Sequence, residues 1–77
     1  MNEQVLRRVR EIASDILQAD VTAESSPESV ESWDSVQHLN LVLAIEEEFG
    51  MQFLPEEMDQ AKSVGSLALL VSARRGA

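Results

Sequence analysis

The chain contains no cysteine, so neither disulfides nor thiolate metal sites hold it together. No apolar run approaches the length needed to span a bilayer, and no signal-peptide layout opens the chain. Cations are scarce: six Lys and Arg stand against 14 Asp and Glu, a net charge of −8. A polyanion repels phosphates and anionic headgroups, which argues against nucleic acid and membrane partners and for a basic protein partner. The same self-repulsion predicts modest stability that divalent cations or mild acidification would raise. Internal repeats and low-complexity tracts are missing, and no segment sustains the period-two alternation of a strand. With 77 residues, the chain reads as one domain spanning 1–77, near the lower limit at which a single core suffices. It is too short to join a nucleotide-binding domain to a substrate domain, which excludes most metabolic enzymes.

What is present is helical. Hydrophobic residues make up 44% of the chain, enough for a packed core. Between Asn2 and Ala19, Val5, Val9, Ile12 and Ile16 recur at spacings of three and four, flanked by Leu6, Ala13 and Leu17. Asn2 is a suitable N-cap for this first helix. From Asp20 to Trp33 the periodicity disappears into a Ser/Glu-rich loop broken by Pro27, with room for one helical turn opened by Ser26 and Pro27. Loops this long in small domains are uncommon unless functional, and Val21, Val30 and Trp33 are the residues able to pin it to the core.

A second helix starts at Asp34 or Ser35, both good caps, and runs to Gly50 as C′ residue. A short third helix opens at Pro55, with Glu56 and Glu57 suited to its positive end. A fourth follows Ser63, carries Val64, Leu67, Ala68, Leu70 and Val71, and leaves through Arg74, Arg75 and Gly76, cations suiting the dipole's C-terminal end. The expected fold is all-α: a small four-helix bundle, three main helices and one short one, with a long loop between helices one and two.

The second helix has an unusual wheel. At about 100° per residue, Leu41, Val42, Ile45 and Phe49 form an ordinary core stripe, facing helices one and four with Trp33 and Phe53 as the other large anchors. Val36, Leu39 and Leu43 form another apolar stripe displaced by roughly 140°. Such a helix is either buried on both sides, under the long loop, or shows an apolar strip to solvent. So short a chain has few elements with which to cover both stripes, so the exposed reading is favoured. Rimmed by Glu46, Glu47 and Glu48, the strip suits docking of a basic partner.

The run Trp33-Asp34-Ser35-Val36, followed by His38-Leu39-Asn40-Leu41-Val42-Leu43-Ala44-Ile45-Glu46-Glu47-Glu48-Phe49-Gly50, resembles the acyl carrier protein family. The likeness extends over nearly the whole chain. Gln52-Phe53-Leu54-Pro55 and Ser63-Val64-Gly65-Ser66-Leu67 fall where that family places helix three and the start of helix four. An Asp-Ser pair alone carries no signal, and in most proteins it is a simple cap. Opening a helix that ends in Glu-Glu-Glu-Phe-Gly, it is specific.

The resemblance implies that Ser35 carries a 4′-phosphopantetheine arm through a phosphodiester. It also implies that a separate phosphopantetheinyl transferase installs the arm from coenzyme A, with Asp34 helping to position the site. The arm's thiol would supply the thioester chemistry this chain cannot, and a helix N-terminus tolerates the phosphate. Implied partners are acyl-loading, ketosynthase or acyltransferase-type enzymes with basic patches. The implied cargo is an acyl chain, which carriers of that family can tuck between helices. Also implied is a cytoplasmic, monomeric protein with no catalytic residue and no metal of its own; Met1 and the full four-helix length suggest a stand-alone chain. Two departures stand out: Val36 replaces the family's usual Leu, and Gln37, His38 and Asn40 are not acidic where bacterial fatty-acid carriers tend to be. The first, conservative in polarity but shorter, bears on contact with the transferase or partner enzymes without abolishing it; the second tilts the reading towards polyketide or other pathway-dedicated biosynthesis.

Other chemistries fare worse. Ser35 and His38, three apart, could pair as nucleophile and base, yet there is no Gly-x-Ser-x-Gly elbow and no oxyanion loop. Glu46-Glu47-Glu48 and Glu56-Glu57 lack the spaced Asp/Asn loop of a calcium site. The alternatives left open are a peptidyl or aminoacyl carrier, and an acidic helical interaction module with no prosthetic group.

Overall fold

The computed structural model describes residues 3–74. It holds four helices: α1 (Glu3–Leu17), α2 (Ser35–Phe49), α3 (Pro55–Gln60) and α4 (Val64–Arg74), with no strand among the described residues. The helical order and the long α1–α2 loop match the periodicity. Asn2, Arg75 and Gly76, assigned to a cap and a helix exit, lie outside the described residues.

α1 ends at Leu17 rather than at Ala19. The cause is local: Gln18 adopts a left-handed φ of 54°, and the Ala19 N–H turns back to the Ser14 carbonyl at 3.3 Å, closing the helix. Two further carbonyls at this end are met by side chains that arrive from elsewhere. Ser32 Oγ donates to Leu17 O at 2.8 Å, and Gln37 Nε2 donates to Ile16 O at 3.4 Å. The end of α1 is thereby tied to the start of α2.

Both long partners pack on α1, which closely contacts α4 and α2. Val5, Val9, Ile12, Ala13 and Leu17 are its buried face, while Leu6 and Ile16 are only partly buried. From α2, Leu41, Val42 and Ile45 are fully buried, whereas Phe49 sits at the edge of the core. The stripe of α2 thus packs chiefly on α1, and its contact with α4 is the lesser one. Trp33 and Phe53 fill the core from the loops on either side of α2, as large anchors should.

The long loop is docked along its length. Val21 and Trp33 are buried and Val30 packs on the core. Ser26 O accepts from the N–H groups of Ser29 and Val30, at 3.0 and 2.9 Å, forming the single turn expected at Ser26-Pro27. Farther on, the first N–H groups of α4 find loop carbonyls: Val64 to Ser25 O at 3.1 Å and Gly65 to Ala23 O at 2.8 Å. Gly65 permits this approach, since a Cβ there would lie 3.0 Å from the Ala23 oxygen. Gly65→Val is therefore expected to cost about 1–3 kcal/mol by overpacking, read as a lower urea midpoint with an unchanged slope; an unaltered midpoint would mean that the loop yields without cost.

The α2–α3 link is held just as firmly. Gly50, at φ 63° and ψ 43°, ends α2, and the Met51 N–H reaches back to Glu46 O at 3.1 Å. Glu57 accepts from the Leu54 N–H at 2.8 Å, closing the first turn of α3. Arg74, at the far end of α4, donates to Gln52 O at 2.6 Å and pairs with Glu57. That cation, suited by position to the α4 dipole, also clamps α4 to the start of α3.

Candidate functional site

The Asp-Ser pair sits where α2 begins. Asp34 is the N-cap: its backbone is extended, and its Oδ1 accepts the Gln37 N–H at 2.9 Å. The Asp34 carbonyl takes the first helical bond, from the His38 N–H at 2.8 Å. Ser35 is consequently the first helical residue. Capping is done by Asp34, so the Ser35 hydroxyl is exposed and has no hydrogen-bond partner among the described residues. The helix itself leaves the Ser35 and Val36 N–H groups unpaired at the positive end of its dipole.

His38 does not serve Ser35. The Trp33 indole N–H, which can only donate, gives its hydrogen to His38 Nδ1 at 3.0 Å. That contact puts the imidazole proton on Nε2, which donates to the Met58 carbonyl at 2.9 Å. The two rings also stack, with centroids 6.0 Å apart and 25° between planes. With both nitrogens engaged, His38 is not placed as a general base for the serine, and the hydrolase reading loses its second member. The histidine instead struts the start of α2 against α3. Its wheel position inside the core stripe was the available signal, but its partners come from a loop and from α3, which periodicity within one helix does not report.

The apolar strip faces solvent. Val36, Leu39 and Leu43 are 68%, 52% and 52% exposed, and Leu54 is exposed beside the end of α2. The three glutamates that follow are not equivalent. Glu46 is partly buried and its Oε2 accepts the Phe53 N–H at 2.7 Å, fixing the α2–α3 link. Glu48 pairs with Arg8 of α1 at 3.0 Å, and Arg8 also reaches Glu11 at 3.4 Å. The hydrogen bond from the Arg8 guanidinium holds the Glu48 carboxyl below its usual range. The bridge therefore contributes above the ordinary carboxylate pKa and is lost as pH falls through the lowered value, a small effect for so exposed a pair. Only Glu47 projects without a partner among the described residues, next to Leu43 along the helix.

Among the described residues, no group of three His, Asp or Glu side chains is placed to hold a metal ion, and no helix is long and apolar enough to cross a membrane. Ser35 opens instead on a cleft of about 460 Å³ between the long loop, the start of α2 and the end of α3.

Residues 7–71 match the family described as the phosphopantetheine attachment site. The chain is 35% identical over 68 residues to an acyl carrier protein of Thermosynechococcus vestitus, covering 83% of this chain and 84% of that one. The chain belongs to the acyl carrier protein family. Its fold is also that of a holo acyl carrier protein from Geobacter metallireducens solved by NMR, with a TM-score of 0.82 at 28% identity, over 94% of this chain and 86% of that one.

An acyl carrier protein is a carrier and not a catalyst, and its prosthetic group is covalently held 4′-phosphopantetheine. Membership sets aside the interaction module that carries no such group. The residues at the start of α2 fit the group: an exposed, unbonded hydroxyl stands beside two unpaired backbone N–H groups suited to a phosphate oxygen.

Proposed function

We propose that Ser35 is the attachment residue and that the chain, as one carrier domain over residues 1–77, presents acyl groups to enzymes of fatty-acid, polyketide or related specialised biosynthesis. The observation that carries this reading is the division of labour at the start of α2. Asp34 takes over the capping bond, so the Ser35 hydroxyl is left exposed and free to react. When bound, the arm supplies a thiol on which an acyl group rides as a thioester. The protein's own residues hold the arm's root at a rigid helix end and offer a surface to successive enzymes.

Val36, Leu39 and Leu43 provide the apolar part of that surface. Of the acidic residues, Glu47 is its free charge, whereas Glu46 and Glu48 serve mainly to hold the α2–α3 link and the α1–α2 contact. The partners are a phosphopantetheinyl transferase and acyl-loading, ketosynthase or acyltransferase-type enzymes that present basic patches. The neutral Gln37, His38 and Asn40 in the first half of α2 favour a pathway-dedicated carrier over a housekeeping one. Gln37 and His38 are occupied in holding α1 and α3, so that stretch has little charge to offer a partner.

The test is intact mass after incubation with coenzyme A, magnesium and a broad-specificity phosphopantetheinyl transferase. The parent is expected to gain one phosphopantetheine, and Ser35→Ala none while keeping its helicity. A full gain on Ser35→Ala would move the attachment site elsewhere. No gain on the folded parent with several transferases would overturn the reading.

A further inference from the structure

The cleft beside Ser35 is lined on one side by Trp33, Asp34 and Ser35, and on the other by Met58, Asp59 and Lys62. Its charges are unbalanced. Asp34 and Asp59 contribute two carboxylates, and Lys62 is the single cation on its walls. Lys62 is also the only lysine in the chain. The described arginines stand away from this cleft: Arg7, Arg8 and Arg10 on α1, and Arg74 at the end of α4. Unlike Arg8 and Arg74, Lys62 forms no ion pair among the described residues. Its backbone is held where α3 gives way to α4, by a bond from its N–H to Gln60 O at 3.1 Å. Its side chain is exposed at the cleft's rim.

A phosphodiester on Ser35 would place one more negative charge on a chain already at −8, close to Asp34 and Asp59. The unpaired N–H groups at the start of α2 lower that cost on one side only. The opposite side needs a cation that is exposed, unengaged among the described residues and on the same cleft, and Lys62 meets each condition. A lysine suits the role, since its ammonium sits on a flexible stem and pairs with phosphate as a point charge.

We propose that Lys62 is the counter-charge of the phosphate on Ser35, drawing the root of the arm across the cleft towards α3 instead of leaving it to solvent. It is a positioning residue, and the inference rests on the reading of Ser35 as the attachment residue. Pairing at the root would start the arm over the Trp33 and Met58 walls, the apolar part of the cleft.

Because the chain has a single lysine, labelling lysine with 13C and 15N gives one side-chain spin system to follow. The parent, Lys62→Gln and Lys62→Arg are each loaded, and intact mass confirms one phosphopantetheine on each. Failure to load the parent at all would count against Ser35 and not against Lys62. In the loaded parent, the lysine side-chain resonance is expected to shift from its unloaded position, and the shift to shrink as salt is raised. The 31P resonance is expected to move in Lys62→Gln and to stay near the parent position in Lys62→Arg. The melting temperature of unloaded Lys62→Gln should match that of the unloaded parent, which a structural role would not allow. Superimposable 31P spectra for the parent and Lys62→Gln, or a lysine signal indifferent to loading, would overturn the proposal.

Discussion

Trp33→Ala is expected to lower the unfolding free energy by about 3–5 kcal/mol, the usual cost of emptying a large aromatic site in a core. Trp33 is only 2% exposed and is the largest fully packed side chain of the molecule. It lies immediately before the Asp34 cap, so the cavity would open directly beneath the start of α2. Its loss also strips His38 Nδ1 of its donor, leaving the strut between α2 and α3 tied at one end only. Small domains hold roughly 5–15 kcal/mol in total, and one of this size belongs near the bottom of that range. The variant should therefore be partly unfolded at room temperature, with helicity by circular dichroism below that of the parent even before denaturant is added. Trp33→Phe separates the two contributions. It keeps most of the apolar volume and removes only the N–H donor, so its loss should be smaller, of the order of 1–3 kcal/mol. A loss below about 1 kcal/mol for Trp33→Ala would mean that the long loop, rather than its tryptophan, anchors this end of the bundle.

The helices were legible in the sequence because each carries its own punctuation. Gly50 closes α2 in the left-handed region where only glycine is unstrained, and Pro55 opens α3; both boundaries fall where residue type alone dictates. The end of α1 was less legible because the left-handed residue there is Gln18, a non-glycine whose conformation is over-determined by its surroundings. Ser32 and Gln37 supply the bonds that hold those turns, from 15 and 21 residues away. Such bonds leave no trace in a local window.

The candidate site divides in the same way. Position narrowed the cap to Asp34 or Ser35, and the bond from the Gln37 N–H assigns it to Asp34, which leaves the Ser35 hydroxyl exposed. The exposed strip of Val36, Leu39 and Leu43 follows from the wheel combined with chain length, because too few elements exist to cover it. Treating Glu46, Glu47 and Glu48 as one acidic rim was too coarse. On the wheel, Glu48 falls on the far side, beside Leu41 and the stripe that packs on α1, whereas Glu47 borders Val36 and Leu43. The pairing of Glu48 with Arg8 was thus within reach of that geometry. The bond from Phe53 to Glu46 was not, because it depends on how the chain leaves Gly50.

That separation changes how the proposed docking surface is best probed. Glu47→Lys is expected to slow loading by the phosphopantetheinyl transferase about tenfold at low salt, within the range by which steering alters association rates. The residue is exposed, unpaired among the described residues, and adjacent to the apolar strip that leads back to Ser35. Charge there acts on encounter more than on the final complex, so the deficit should lie in kcat/KM and leave kcat nearly unchanged. It should also fade as ionic strength rises and the Debye length falls below the separation of the charges. Glu47→Gln removes one charge instead of reversing it and should show a smaller deficit of the same salt dependence. Glu48→Lys is the informative contrast. It makes the same change of charge one residue away but also breaks the bridge to Arg8 and places like charges face to face across α1 and α2. It should lower stability as well as rate, whereas Glu47→Lys should leave the unfolding curve where it is. Equal loading rates for the parent and Glu47→Lys at low salt would remove acidic steering from the account. Recognition would then rest on Val36, Leu39 and Leu43 alone, as apolar contact without long-range attraction.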